Sequence, residues 1–305
     1  MGYRCLRIFF LFSMIFLCVT ILKADTGAEK GASPISSAIF ASMSYQERAP
    51  VEVEPNKITL MDNEHEPEDK AKTLTFLSFN IRSARDEDGN VHIDSIIDEI
   101  RDSGAEIIGL QEVERFMPRT GYVDQIKKIA AELDYHFFYG SNLNILGARY
   151  GNAILSKFPI ITAKNHRLPK LKLEPRGLIE AQIDTGDYII NVYVTHLGLD
   201  AQERMRQMAF IYDIISTSDE DLILMGDFNN RPDSPEMELV KTEFIDVAEA
   251  FNMGDEYTYS LYNSSLQGRL DRIYASQENS LEDYSYILSE VSDHCGIIVK
   301  IGIKQ

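Results

Sequence analysis

The chain of 305 residues carries 48 acidic side chains against 30 Lys and Arg, a net charge of −18. That balance excludes a protein that grips nucleic acid by bulk charge, because phosphate binding needs a basic face, although a local basic groove remains open to it. Of its three cysteines, Cys5 and Cys18 lie in the N-terminal segment, so a mature form would keep only Cys295; one thiol closes no intramolecular disulfide, and a thiolate zinc site needs thiols clustered at short spacings.

The chain opens with Arg4 and Arg7, then an apolar run from Ile8 to Leu22, then Ala24. Basic flank, apolar run and small residue, in that order, predict export through a signal over residues 1–24. The run is shorter than the roughly 17–25 residues of a membrane span. Leu22 is a poor residue three places before a cut, so a cleaved signal and an uncleaved N-terminal anchor are both open. The expected location is secreted or membrane-anchored, on the extracytoplasmic side, with any membrane association made through the N-terminus. Residues 25–72 hold Pro34, Pro50, Pro55 and Pro67 among acids and small polar residues, with no sustained period, which predicts an acidic flexible linker.

Residues 73–305 read as one monomeric domain. A strand begins at TLTFLSFN. IDSIIDEIRDSG (93–104) spaces isoleucines as one helix face and stops at Gly104. AEIIGLQEV (105–113) is a continuous apolar run, as in a buried strand. YVDQIKKIAAELD (122–134) predicts an amphipathic helix. HFFYG, GNAILSKFPI (151–160), GLIEAQI and DYIINVYVTH predict four strands in succession. AQERMRQMAFIYDIIS (201–216) predicts a helix whose Met and Phe residues lie at core spacing. DLILMGD (221–227), RLDRIYAS and GIIVKIGI close the domain as strands. Strands alternating with helices over this length predict an α/β domain with helices covering packed sheets. DEDGN (86–90) reads as a surface turn, because Gly89 is misplaced for a calcium loop and no Glu closes it. Asn263-Ser264-Ser265 fits a glycosylation acceptor. No long apolar hairpin is visible.

Polar residues stand where apolar strands end: Asn80, Glu112, His196, Asp227 with Asn229, Asp271, and Asp293 with His294. Strand ends are where α/β sheets bind ligands. Oxygen donors of this kind suit a hard cation such as Mg²⁺ or Mn²⁺, and imidazoles move protons near neutral pH. No G-x-S-x-G elbow is present, which disfavours acyl-enzyme chemistry.

LSFNIR, LQEV, THLG, GDFNNRPDS, RLDRIY and SDHCGI, in that order, resemble the endonuclease/exonuclease/phosphatase superfamily, which includes deoxyribonuclease I, apurinic endonucleases, neutral sphingomyelinases and inositol polyphosphate 5-phosphatases. The resemblance covers roughly residues 73–303. It implies a four-layer sandwich of two mixed sheets with flanking helices. It also implies roles: Glu112 as the principal Mg²⁺ (or Mn²⁺) ligand with Asn80 beside it and Asp293 as a further metal-side carboxylate. Asp227 and Asn229 would hold the phosphate and the attacking water or a second metal. His294 would be general base or phosphate ligand, oriented by Asp271. His196 matches a second histidine of the deoxyribonuclease and sphingomyelinase branches, and Arg176, in EPRG, a position near the scissile phosphate.

The implied chemistry is hydrolysis of a phosphodiester or phosphomonoester by direct attack of water, with inversion at phosphorus, since no covalent nucleophile stands out. Seven bases and one acid, Glu174, fall between residues 145 and 176; Lys170 and Lys172 within this island are candidate substrate-binding residues that steer a phosphorylated ligand. The acidity and the N-terminal segment favour a lipid or small phosphorylated metabolite as substrate. An extracellular DNA or RNA nuclease is the alternative from His196 and the basic island. A non-catalytic binding module that keeps the fold is the third reading, which the complete set of polar residues disfavours.

Overall fold

The computed structural model describes residues 72–171, 174–218, 221–260 and 267–303. The N-terminal segment, the linker up to residue 71, Lys172 and Asn263-Ser264-Ser265 lie outside these residues. In chain order the elements are β1 (Lys72–Asn80), α1 (Ile93–Ser103), β2 (Ile107–Arg115), α2 (Gln125–Leu133), β3 (His136–Ile145), β4 (Ala148–Ser156), β5 (Ile160–Arg167), β6 (Gly177–Asp184) and β7 (Ile189–His196). They continue with α3 (Ala201–Ile215), β8 (Leu222–Asp227), α4 (Glu238–Glu243), β9 (Phe244–Asp246), α5 (Val247–Ala250), β10 (Tyr259–Ser260), β11 (Gln267–Gly268), β12 (Asp271–Ser276), β13 (Ser280–Ile287) and β14 (Gly296–Ile303).

Two six-stranded sheets result, ordered β13-β14-β1-β2-β4-β3 and β5-β6-β7-β8-β12-β9, with β10 and β11 as a small separate ribbon. Both large sheets are mixed: β1–β2 and β7–β8 run parallel and the other neighbours antiparallel. Strand alternation sorts each side chain to one face. Leu74 and Phe76 of β1 join Ile107, Val192, Val194, Ile223, Met225 and Ile273 in the core between the sheets. Leu77 and Phe79, one residue out of phase, face Ile96, Ile100, Ile126 and Ile129 of α1 and α2. Tyr193, Leu222 and Leu224 face Met208, Ile211 and Ile215 of α3 on the far side. The order helix, sheet, sheet, helix is the expected four-layer sandwich. Each large aliphatic side chain sealed this way contributes about 1.5–3 kcal/mol.

Local chemistry sets the ends of the elements. The α1 isoleucines 93, 96, 97 and 100 are its buried stripe, and Gly104 closes the helix in the left-handed region at φ 65°. Asp200 caps α3 by accepting from the N–H groups of Gln202 and Glu203. Gly226, at φ 152°, brings β8 so close to β7 that a Cβ would lie 2.0 Å from the Thr195 carbonyl oxygen. Only glycine fits there, and the close approach sets the level at which Asp227 leaves the sheet.

Several sequence expectations are corrected. GNAILSKFPI is not one strand: β4 ends at Ser156, whose Oγ accepts from Phe158 N at 2.9 Å, and β5 starts at Ile160 in the other sheet. Pro159 lacks the N–H that an unbroken ladder needs. The helix expected from residue 122 begins at Gln125, because Tyr122 sits at φ 59° and Asp124 bridges to Arg115 before capping α2. Met205 of α3 faces solvent rather than the core. The turn at 86–90 is as expected, with Asn90 N donating to Asp86. No helix among the described residues is long and apolar enough to cross a membrane.

Candidate active site

The polar cluster grows out of the inward-facing rows of the two sheets. On β1 the row Leu74, Phe76, Ser78 ends at Asn80; on β7 Ile190, Val192, Val194 ends at His196; on β8 Ile223, Met225 ends at Asp227; on β12 Asp271 precedes Ile273 and Ala275. Parity thus aims every one of these side chains between the sheets. Register then aligns them, since β7 and β8 pair His196 with Asp227, and β8 and β12 pair Asp227 with Asp271.

Asp227 is the hub. Its Oδ2 accepts from Asn80 Nδ2 at 3.0 Å and lies 3.3 Å from His196 Nε2 and 3.8 Å from His294 Nε2; its Oδ1 accepts from the Asn229 backbone at 2.9 Å. Asn229 sits at φ 50° and donates its side-chain amide to the Leu197 carbonyl at 2.9 Å. Behind the hub, His294 Nδ1 is 2.8 Å from Asp271 Oδ2. On the other side Arg176, 5% exposed, donates through a guanidinium nitrogen to His196 Nδ1 at 3.0 Å and pairs with Glu174 at 2.9 Å. A guanidinium only donates, so His196 Nδ1 is an acceptor and Nε2 carries the proton that points at Asp227.

The electrostatics divide the two rings. Burial, then Arg176 and His294, hold His196 well below the usual histidine range, so it is neutral. Burial opposes the His294 imidazolium too, but Asp271 and Asp227 outweigh it and push its pKa up to about 10. Asp227 itself is pushed up to about 6, mainly by burial, with His294 pulling the other way.

Glu112 stands at a bulge. The β2–β4 register shifts between Leu110 and Val113, and Glu112 is held at φ 59°, an uncommon conformation for a residue with a Cβ. Its half-buried carboxyl takes a long hydrogen bond from Asn80 Nδ2, 3.4 Å. Burial and the neighbouring Asp293 charge both raise its pKa, while Asp293 pairs with Arg82 at 3.5 Å. Glu112 and Asp293 therefore offer carboxylate oxygens that fit a hard divalent cation, while the Asn80 amide turns its Nδ2 to Glu112 and its Oδ1 accepts from the Arg82 N–H at 3.1 Å. A second set of candidate ligand atoms, from Asp227, Asp271 and His294, lies within 4.8 Å of one another. In that set Asp271 Oδ2 already receives a hydrogen bond from Thr258 and faces His294 Nδ1, so hydrogen bonding, rather than ligation, engages it.

Lys170 of the expected basic strip is exposed. Sequence reading missed the supports. Thr258, 3% exposed, accepts from the N–H groups of Leu270 and Asp271, both at 3.0 Å, and donates to Asp271 Oδ2 at 2.8 Å. Arg272 is buried, donates to the Asn230 side-chain oxygen at 2.6 Å and its carbonyl at 2.5 Å, and so fixes the turn that carries Asn229. Ser292 donates to the Asn80 carbonyl at 2.6 Å and accepts from His294 N at 3.2 Å. Arg272 and Ser292 lie inside RLDRIY and SDHCGI, where a polar residue beside a candidate ligand was the available cue; Thr258 has no such cue.

Residues 77–294 match the model of the Endonuclease/Exonuclease/phosphatase family. The chain belongs to that family. Over 133 residues it is 30% identical to protein cwh43 of Schizosaccharomyces pombe, a match covering 43% of this chain and 14% of that protein. The chain thus spans a small part of that relative. The structure is similar to an endonuclease/exonuclease/phosphatase from Beutenbergia cavernae DSM 12333, with a TM-score of 0.62 at 21% identity over 76% of this chain and 72% of that one. It is similar as well to D. rerio TDP2 complexed with single strand DNA product, with a TM-score of 0.60 at 20% identity over 75% of this chain and 98% of that one. At these identities the likeness is one of fold. The family is one of hydrolytic phosphoesterases and nucleases that typically use divalent metals.

Proposed function

We propose that this protein is a Mg²⁺- or Mn²⁺-dependent phosphoesterase that cleaves its substrate by direct attack of water. The observation that carries the reading is the convergence of Asn80, His196, His294 and Asn229 on one carboxylate, Asp227. Glu112, Asn80 and Asp293 would hold the cation, which when bound neutralises phosphoryl charge and polarises the phosphoryl oxygen. Asp227, whose pKa burial raises, accepts a proton from the attacking water. His196 Nε2–H and the Asn229 N–H hold that carboxylate in one orientation. His294, protonated and backed by Asp271, and Arg176 lend positive charge to the phosphoryl oxygens as the pentacovalent state forms. The oxygen–phosphorus bond to water forms as the bond to the leaving oxygen breaks, and the leaving oxygen takes its proton from solvent.

A lipid or small phosphorylated metabolite is the proposed substrate, met outside the cytoplasm after export through residues 1–24. A nuclease is the second reading, favoured by the product strand bound to the fold relative TDP2. Hydrolysis of bis-p-nitrophenyl phosphate with Mg²⁺ tests the class: wild type should turn over, and Glu112→Ala and His294→Ala should fall by about 10²–10³. Equal rates in all three would leave a silent binding module. A panel of DNA, RNA, sphingomyelin, inositol phosphates and sugar phosphates then selects the branch.

A further inference from the structure

The β3–β4 hairpin continues past the level of the cleft. β3 runs to Ile145, the chain turns through Leu146 (φ 52°) and Gly147 (φ 93°), and β4 returns at Ala148. Leu146 is 93% exposed and Ile145 47%. Four residues beyond the tip lies buried Tyr150, whose hydroxyl is held well above its usual range by burial and then by Glu112. The tip therefore stands about 13 Å along the strand from the cleft wall.

A second apolar edge belongs to the same side. Asn165 Nδ2 on β5 donates to Asn142 Oδ1 at 3.1 Å, and Asn152 Nδ2 on β4 donates to the Gly177 carbonyl at 3.0 Å, tying the hairpin to the β5–β6 end. From there Leu171 N donates to the Glu203 carboxylate at 3.2 Å, and Gly198 lies so near that a Cβ would meet the other Glu203 oxygen at 2.8 Å. Leu171 and Leu199 thus project from loops that meet at Glu203, and Leu199 is 76% exposed, three residues after His196. Leu199 and Leu146 are the two most exposed large hydrophobic side chains among the described residues, and an apolar edge beside a cleft marks a surface that is covered in use.

Charge identifies what covers it. Residues 135–171, which include the hairpin, β5 and the start of the following loop, hold five Lys or Arg and no acid in a chain with 48 acids; Lys157 stands at the end of β4 away from the hairpin turn and pairs with Glu106 at 3.7 Å, which leaves Arg149, Lys164, Arg167 and Lys170. Basic groups suit headgroup phosphates and aliphatic tips suit the acyl boundary beneath them. A single-stranded nucleic acid would call for aromatic faces on which bases stack, and the tips here are Ile and Leu.

We propose that this rim docks on a phospholipid bilayer, Leu146 and Leu199 entering the headgroup–acyl boundary, so that an ester in the headgroup layer reaches the Asp227 cleft. The choice of ester chemistry rests on the phosphoesterase reading; the docking does not. The test uses the full chain with Cys5, Cys18 and Cys295 changed to Ser and an environment-sensitive fluorophore on Leu146→Cys, Leu199→Cys or, as control, Ile189→Cys. Ile189 is exposed at the opposite end of β7 from His196. With phosphatidylcholine vesicles, with and without phosphatidylserine, the probes at 146 and 199 should shift to the blue and the probe at 189 should not. No shift at 146, an equal shift at 189, or a shift with single-stranded DNA and none with vesicles overturns the proposal. In Leu146→Glu/Leu199→Glu, hydrolysis of vesicle-borne ester should fall about tenfold with hydrolysis of bis-p-nitrophenyl phosphate unchanged; an undiminished vesicle rate also overturns it. Absence of any ester hydrolysis by wild type would reject the phosphoesterase reading, and a blue shift at 146 and 199 would still support docking.

Discussion

His196 and Asp227 end parallel neighbouring strands opposite one another in register, with Nε2 3.3 Å from Oδ2. Arg176 occupies the far nitrogen of the ring, so the imidazole can only donate toward the carboxylate. One strand pairing and one guanidinium thus set the tautomer of a buried histidine and, through it, the orientation of the proposed base.

The oxygen cradle makes a prediction about metal. Glu112 is half-buried beside a like charge, so Glu112→Gln should melt at the same or a higher temperature than wild type in metal-free buffer. On addition of Mg²⁺ or Mn²⁺ the wild type should gain stability through binding and the variant should not. Thermal melts with and without metal read both effects, and an equal metal-dependent gain in the two proteins would remove Glu112 from the cation site.

Thr258 should matter for rate as well as for folding. Thr258→Val leaves the N–H groups of Leu270 and Asp271 unpaired and removes a donor from Asp271. The expected loss is about 1–3 kcal/mol of stability per unsatisfied group, with kcat lowered about tenfold or more as His294 loses its orientation. Thr258→Ser should restore both. Chemical denaturation and steady-state kinetics of the three proteins decide it, and a Val variant with unaltered kcat would make Thr258 purely structural.

His294 ties stability to pH. Its folded pKa of about 10 lies above the ordinary 6.5, so the folded state binds the proton more tightly. That contribution is whole below about pH 6.5 and is lost as pH rises through about 10. In metal-free buffer the advantage of wild type over His294→Gln should therefore be large at pH 6 and shrink above pH 9. A gap that widens with pH would contradict the assigned charge.

Asp221 should show the same slope in a lower pH window. Burial and then Glu278 push its pKa from 3.8 up to about 6, so its charge is unfavourable in the fold above that pH and absent as a cost below about 4. Asp221→Asn should raise Tm at pH 8 and leave it unchanged at pH 4. A fall in Tm at pH 8 would show that the carboxylate has a partner it needs.

Much of this was legible in the chain because strand parity is local. The inward rows of β1, β7, β8 and β12 can be counted from the apolar alternation, and the residue at the end of each row faces the same space. The break between β4 and β5 was misread because apolar content continues across Lys157–Pro159 and a change of sheet leaves no mark in hydrophobicity. Thr258 was invisible for a different reason: it lies in a loop, without period, and acquires its role only because that loop folds over the start of β12.

Residue types, order and spacing by themselves determined the family, the two-sheet architecture and the identity of the candidate groups, since those depend on periodicity and on the chemistry of single side chains. Tertiary structure alone decided which groups touch. Register placed Asp227 between two histidines, a bulge held Glu112 beside Asp293, burial separated the charge states of His196 and His294, and the packing of β3 against β5 set exposed leucines beside the cleft. Those outcomes depend on distances between segments far apart in the chain, and distance is what local sequence pattern does not encode.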